Sequence, residues 1–123
     1  MVALAVNELN HALTRFVEQV PDPALAIEIA VCVEILRRYG NETRRPTSAP
    51  LGDGIFELRP KTARHQARLL YCFYGEAAVI LVCFIKQGGK DPTNEYKQEA
   101  LRLRARMKRG EGELHGYDYT GRS

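Results

Sequence analysis

Eight consecutive residues, Ala78-Val79-Ile80-Leu81-Val82-Cys83-Phe84-Ile85, are apolar and rich in β-branched side chains. They run from the turn Tyr74-Gly75-Glu76 to a second turn, Gln87-Gly88-Gly89-Lys90. A run of this length and composition suits an interior strand covered on both faces. Such a strand needs a neighbour on each side, supplied by this chain or by a partner. Two other extended segments precede it at hairpin spacing. Residues 55–59 alternate, with Phe56 and Leu58 on one face and Ile55, Glu57 and Arg59 on the other. Residues 68–73 place Leu69, Tyr71 and Phe73 on one side and Arg68, Leu70 and Cys72 on the other.

Helices are expected on either side of these strands. Asn7 is a capping residue for a first helix in which Leu9, Leu13, Phe16, Val17 and Val20 recur at helical spacing, and Pro21 stops it. Asp22-Pro23 then gives a second start, a capping acid followed by proline at the first helical position. Over residues 23–39 the apolar side chains cover more than one face. This helix is therefore expected to be buried between the first helix and the sheet, and to end at Gly40 or Asn41. Residues 41–50, with Arg44, Arg45, Pro46 and Pro50, read as a loop crossing to the sheet. Asp91-Pro92-Thr93 opens the last helix, which carries Tyr96, Ala100, Leu103 and Met107 along one stripe and many cations elsewhere. Residues 110–123 show no periodicity and read as a flexible tail after a domain at 1–109. The prediction is an α+β domain: two N-terminal helices packed on a small antiparallel sheet of three to four strands, followed by a C-terminal helix.

A chain of 123 residues builds one core and not two. No apolar run reaches membrane-spanning length, and residues 1–6 have neither the basic start nor the length of a signal peptide, so a cytoplasmic location is expected. Cys32, Cys72 and Cys83 lie apart inside apolar segments and read as small buried hydrophobes, with no metal or disulfide role. Net charge is only +3, but its distribution is uneven. Between Glu57 and Tyr71 the ionised side chains are Arg59, Lys61, Arg64 and Arg68, with His65 among them and no acid. Lys86 and Lys90 follow the apolar run. Cations gathered beside an apolar sheet form a candidate anion site, with RNA phosphate the expected anion.

The segment Leu51-Gly52-Asp53-Gly54-Ile55-Phe56-Glu57-Leu58-Arg59, the strand Arg68-Leu69-Leu70-Tyr71, and Phe84-Ile85-Lys86 followed by a proline-started helix occur in that order. Together they resemble the RelE/HigB superfamily of bacterial toxins, in particular its phage-derived HigB-like branch, over about residues 9–107. In that family a short strand usually precedes the first helix. Here either residues 2–6 supply a stub of it, or the sheet edge stays open to pair with a second copy in a homodimer.

What the resemblance implies is a metal-independent, ribosome-dependent mRNA endoribonuclease, in which a ribose 2′-hydroxyl attacks the adjacent phosphate. No cofactor is called for. The partners it implies are mRNA on the ribosome and a neutralising antitoxin, a small helix-turn-helix protein encoded next to the toxin. Arg68 coincides with the family's arginine at the scissile phosphate, where a bidentate guanidinium fits. Arg59 and Lys61 stand where relatives place cations against the RNA backbone. Tyr96 falls near a tyrosine that stacks or moves a proton, and reads equally as an apolar stripe residue of its helix. His65 is the candidate acid or base at neutral pH. Arg64, Lys86, Lys90, Arg44 and Arg45 are candidate RNA contacts, the last two also readable as a solvated connection. His11 and His115 read as surface residues. Two rival readings keep the fold: a ParE-like inhibitor of DNA gyrase, and a catalytically degenerate RNA-binding or complex-forming module. Gly88-Gly89-Lys90 lacks the spacing of a phosphate-binding P-loop, no Cys/His set has zinc spacing, and no serine sits in a nucleophile elbow.

Overall fold

The computed structural model describes residues 4–89 and 91–117. In chain order the elements are β1 (Ala5–Leu9), α1 (Ala12–Gln19), α2 (Pro23–Tyr39), a single 3-10 turn (Gly40–Glu42), β2 (Ser48–Gly52), β3 (Ile55–Leu58), β4 (Gln66–Tyr74), β5 (Ala77–Lys86), α3 (Thr93–Lys108) and β6 (Leu114–Gly116). The strands form one sheet in the order β2-β3-β4-β5-β1-β6. All pairs are antiparallel except β1 with β5, which is parallel.

The expected antiparallel sheet of three to four strands is therefore corrected to a six-stranded mixed sheet. Three strands escape the periodicity argument, each for its own reason. The first is β1, whose residues 5 and 6 fall in the stub allowed for at residues 2–6 and whose residues 7–9 are those assigned to the start of the first helix. Asn10 and His11 take left-handed backbone angles (φ 54° and 57°) and separate the strand from α1, which begins only at Ala12. The carboxylate of Glu8, 2% exposed, accepts the backbone N–H of Thr14 at 2.7 Å and also bonds the Thr14 hydroxyl, so an acid six residues upstream caps the helix. The second is β2, which lies in the Pro-bearing segment read as a loop plus its glycine turn. It is an edge strand, where Pro50 forfeits no ladder bond, and the register shifts between Pro50 and Gly52. Asp53 and Gly54 then turn into β3 with φ 58° and 77°, as a two-residue hairpin loop of the primed type requires. The positive φ of Gly54 strains any residue with a Cβ, and a Cβ there would also push on Nη1 of Arg104, 2.9 Å away, which donates to the Asp53 carbonyl. The third is β6, from the aperiodic stretch after α3. It pairs with β1 and is anchored by Asn10, whose N–H bonds the Glu113 carbonyl at 2.7 Å and whose Oδ1 accepts the Glu113 N–H at 2.9 Å. With β6 in place, β1 is no open edge. The ring of His115 on β6 stacks on His11 at 3.7 Å.

The apolar run has a strand on each side, β4 and β1, both from this chain, and a helical layer on each face. Toward α1 and α2 one core gathers Leu13, Leu25, Ile29, Val33, Leu36, Leu58, Leu69, Tyr71 and Ile80. Toward α3 a second core gathers Ile55, Leu70, Cys72, Val79, Val82, Phe84, Ala100 and Met107. Buried Tyr71 keeps its hydroxyl satisfied on Ser48 Oγ at 2.7 Å. Helix α2 starts where Asp22 accepts the N–H of Ala24 at 3.0 Å. It is not wholly buried as expected: Ile27, Val31 and Tyr39 are exposed. Among the described residues no helix is long and apolar enough to cross a membrane.

Because Glu8 satisfies two donors at the start of α1, Glu8→Ala should lower the unfolding free energy by about 1–3 kcal/mol, read from urea denaturation.

Candidate functional site

The β3–β4 connection carries the cations. After β3 the chain continues through Arg59, whose N–H bonds the Thr47 carbonyl at 2.8 Å, and Pro60, whose carbonyl accepts from Ala67 at 2.9 Å. Lys61 bridges to Gln66, and Thr62 closes the tip by donating its N–H to His65 at 2.8 Å. The Thr62 hydroxyl oxygen accepts the His65 N–H at 3.1 Å, so a Ser/Thr-type turn holds a short, defined hairpin end.

Arg59, Lys61 and Arg68 come together at this end of the sheet. They line a cleft of about 390 Å³ with Gln66, with Pro46 and Thr47 of the preceding turn, and with Glu28, Val31, Cys32 and Ile35 of α2. Arg68 is only 3% exposed. Its Nη1 donates to the Ala67 carbonyl at 2.9 Å and its Nη2 to Gln66 Oε1 at 3.1 Å. Glu57 lies between two guanidiniums, 3.7 Å from Nε of Arg68 and 3.8 Å from Nε of Arg59. Burial lowers the Arg68 pKa, Arg59 pushes the same way, and Glu57 and Asp91 oppose them. A cation this buried persists because acids face it.

The stretch without acids in sequence is thus not without acids in space. Glu57 serves Arg59 and Arg68, Asp91 lies 3.8 Å from Lys86, and Asp22 lies 3.3 Å from Nδ1 of His65. Asp22 also accepts the Thr62 hydroxyl at 3.1 Å. Burial would raise the Asp22 pKa, but the Ala24 N–H and the His65 and Thr62 bonds outweigh it and hold the carboxyl below its ordinary value. Among the described residues Lys61, Arg64 and Arg45 have no ion pair.

The remaining candidates are dispersed. His65 and Arg64 line a separate depression with Pro21, Asp22, Pro23 and Thr62, so His65 does not share the cleft of Arg68. Tyr96 stacks flat on Phe84, centroids 4.1 Å apart, and Phe84 is the cross-strand partner of Arg68. Tyr96 is thus a packed stripe residue with 36% exposure, on a depression walled by Ile85, Pro92 and Glu95. Lys86 pairs across from Gln66. Arg44 spends Nη1 on the carbonyls of Asn41 (2.6 Å) and Thr43 (3.3 Å), and Arg45 stays exposed beside the cleft's Pro46. Lys90 lies outside the described residues.

Two acids were missed in the sequence. Glu57 was legible, since strand alternation puts it on the face of Arg59. Glu28 was not, because α2 was expected to be buried between the first helix and the sheet, with no face assigned to the hairpin cations. It is the carboxylate that lines the cleft. Burial, with Glu28 nearby, pushes the Cys32 thiol up to about 11, so that wall offers a neutral thiol and no thiolate nucleophile.

Two outcomes are expected from the acids. Glu57→Ala leaves the buried Arg68 cation without its nearest acid and should cost about 3–5 kcal/mol in denaturant unfolding. The Asp22 contribution, from a depressed pKa, is complete above the unfolded-chain value and is lost as pH falls through the folded one. The urea midpoint of Asp22→Ala should therefore lie below that of the unsubstituted protein near neutral pH, with the gap narrowing in acid.

The family model for "Phage derived protein Gp49-like (DUF891)" matches residues 18–107, from the end of α1 through Met107 of α3, leaving β1 and β6 outside. Comparison with curated proteins finds no match. With that match spanning most of its length, and its cation-lined cleft inside the matched region, the chain belongs to the Gp49-like phage-derived protein family, a toxin-type family related to RelE and HigB.

Proposed function

We propose that this protein is the toxin of a toxin-antitoxin pair and that it cleaves mRNA on the ribosome without a metal. Members of its family are commonly toxins of such systems, and a toxin of this type implies an antitoxin partner. The observation that carries the catalytic reading is the convergence of Arg59, Lys61 and Arg68 opposite Glu28 in one cleft. In the proposed reaction a ribose 2′-oxygen forms a bond to the adjacent phosphorus while the bond from phosphorus to the 5′-oxygen breaks. Glu28 takes the 2′-hydroxyl proton and Lys61 returns one to the leaving oxygen, giving a 2′,3′-cyclic phosphate and a 5′-hydroxyl. Arg68 and Arg59 face the charge that accumulates on the phosphoryl oxygens. Glu57 positions both guanidiniums without touching substrate. The apolar wall of Val31, Ile35 and Pro46 accepts a base or ribose. His65 and Arg64, in a separate depression, and Lys86, which pairs with the cleft's Gln66, guide the strand.

A second reading is favoured by one observation. His65 is held by Asp22 outside the cleft, which leaves Glu28 as the proton acceptor there. If Glu28 does not act, the protein binds RNA without cutting it.

Induced expression should arrest growth and create new mRNA 5′ ends. Arg68→Ala should reduce cleavage by on the order of a hundredfold or more. Arg68 is buried, so Lys61→Ala serves as the companion variant: Lys61 is exposed and without an ion pair, and its loss should reduce cleavage while leaving the melting temperature unchanged. Arrest without new ends would sink the ribonuclease reading and direct attention to gyrase supercoiling. RNA binding that falls steeply with salt, with no cleavage, would establish the binding module.

A further inference from the structure

Helix α2 leaves part of its apolar surface uncovered. Ile27 is 63% exposed, Val31 44% and Tyr39 55%, and with half-buried Ile35 they recur every four residues. That spacing lines them up along one side of the helix over about 18 Å. Single exposed apolar residues are ordinary, whereas an unbroken line of them marks a surface that meets something. Together with Ala30 they form a shallow groove of about 540 Å³ whose polar lining is Glu34 and Arg38.

The charge around the stripe selects its occupant. Glu34 is engaged by Arg37 and Arg38, each at 2.9 Å. Along the other side, Val31 and Ile35 also line the cleft of Arg59, Lys61 and Arg68, so the stripe runs into a bank of cations, of which Lys61 has no ion pair among the described residues. A second copy of this chain would bring a like bank of cations against the first. An RNA would satisfy the cations but not the apolar side chains of Ile27 and Tyr39, which lie outside the cleft.

We propose that the Ile27-Val31-Ile35-Tyr39 stripe docks an amphipathic helix of a partner protein, apolar on the face against α2 and acidic on the flank over Arg59 and Lys61. Apolar anchors in the groove supply the affinity, and the acidic flank sets register and association rate. Because Val31 and Ile35 belong to both surfaces, the bound helix covers the mouth of the cleft and excludes RNA. That last consequence rests on the RNA reading above, and the docking itself does not.

The probe is the protein encoded by the neighbouring reading frame, titrated against the full chain, with hydrogen exchange followed over α2. Ile27→Glu and Tyr39→Ala alter exposed positions outside the cleft, so cleavage by the free chain stays unchanged. Each should weaken the complex at least tenfold. Lys61→Glu should weaken it too and flatten its salt dependence. Protection should appear along the exposed side of residues 27–39. The proposal is overturned by undiminished binding of both stripe variants, by protection confined to other elements, by no binding of the probe, or by a homodimer that Ile27→Glu dissolves. Loss of binding in the stripe variants of a chain that never cleaves RNA would uphold the docking site and remove the RNA reading alone.

Discussion

Strand β5 is apolar on both faces and bonded on both edges, and the rest of the molecule is arranged to meet those four demands. Its backbone donors and acceptors, buried with it, are satisfied by β4 on one side and β1 on the other. The parallel β1–β5 pairing follows, because β1 enters beside β5 and then turns through Asn10 and His11 so that α1 can cover the sheet. Its two faces receive different covers, the α1–α2 pair and α3. The register with β4 skips Leu81, so a bulge changes which residues face which helix: Ala78 and Ile80 pack toward α1 and α2 before it, Cys83 and Ile85 after it.

The same layering explains the candidate site. At the end of the sheet where β3 and β4 begin to separate, neither helical layer closes the gap, and the cations of the hairpin meet one side of α2 there. Arg68 is almost wholly buried yet charged. Glu57 lies between it and Arg59, and Asp91 adds a more distant compensating charge. Part of the electrostatic balance comes from acids distant in sequence, Asp22 for His65 and Glu57 for Arg68, and part from near neighbours, Glu57 for Arg59 and Asp91 for Lys86. Lys61, Arg64, Arg45 and Arg44, which have no ion pair among the described residues, are exposed on the basic surface.

Much of this was readable residue by residue. Alternation assigned Phe56, Leu58, Leu69, Tyr71 and Phe73 to one face, and the structure packs all five toward α1 and α2. Asp22-Pro23 and Gly40 bracket α2, where capping and a left-handed glycine leave little freedom. The strands β1, β2 and β6 were hidden because segments of three to five residues carry too short a pattern, two of them at the sheet edges, and their pairing depends on partners distant in sequence. In the site, the sequence grouped Arg59, Lys61, Arg64 and Arg68 with His65, and three of these cations, without Arg64, line the cleft. The entry of Glu28 was not visible there, nor was the exclusion of His65 to a neighbouring depression.

The sequence by itself determined the composition of each local element: a strand apolar enough to demand burial on both faces, amphipathic segments long enough to cover it, and a cluster of cations between two strands. Only the tertiary structure decided the number of strands, which acid neutralises which cation, and which side of α2 stays uncovered. The physical reason is that periodicity and capping act over a few residues, whereas strand pairing, ion pairing and burial depend on which distant segments the fold brings within a few ångströms of one another.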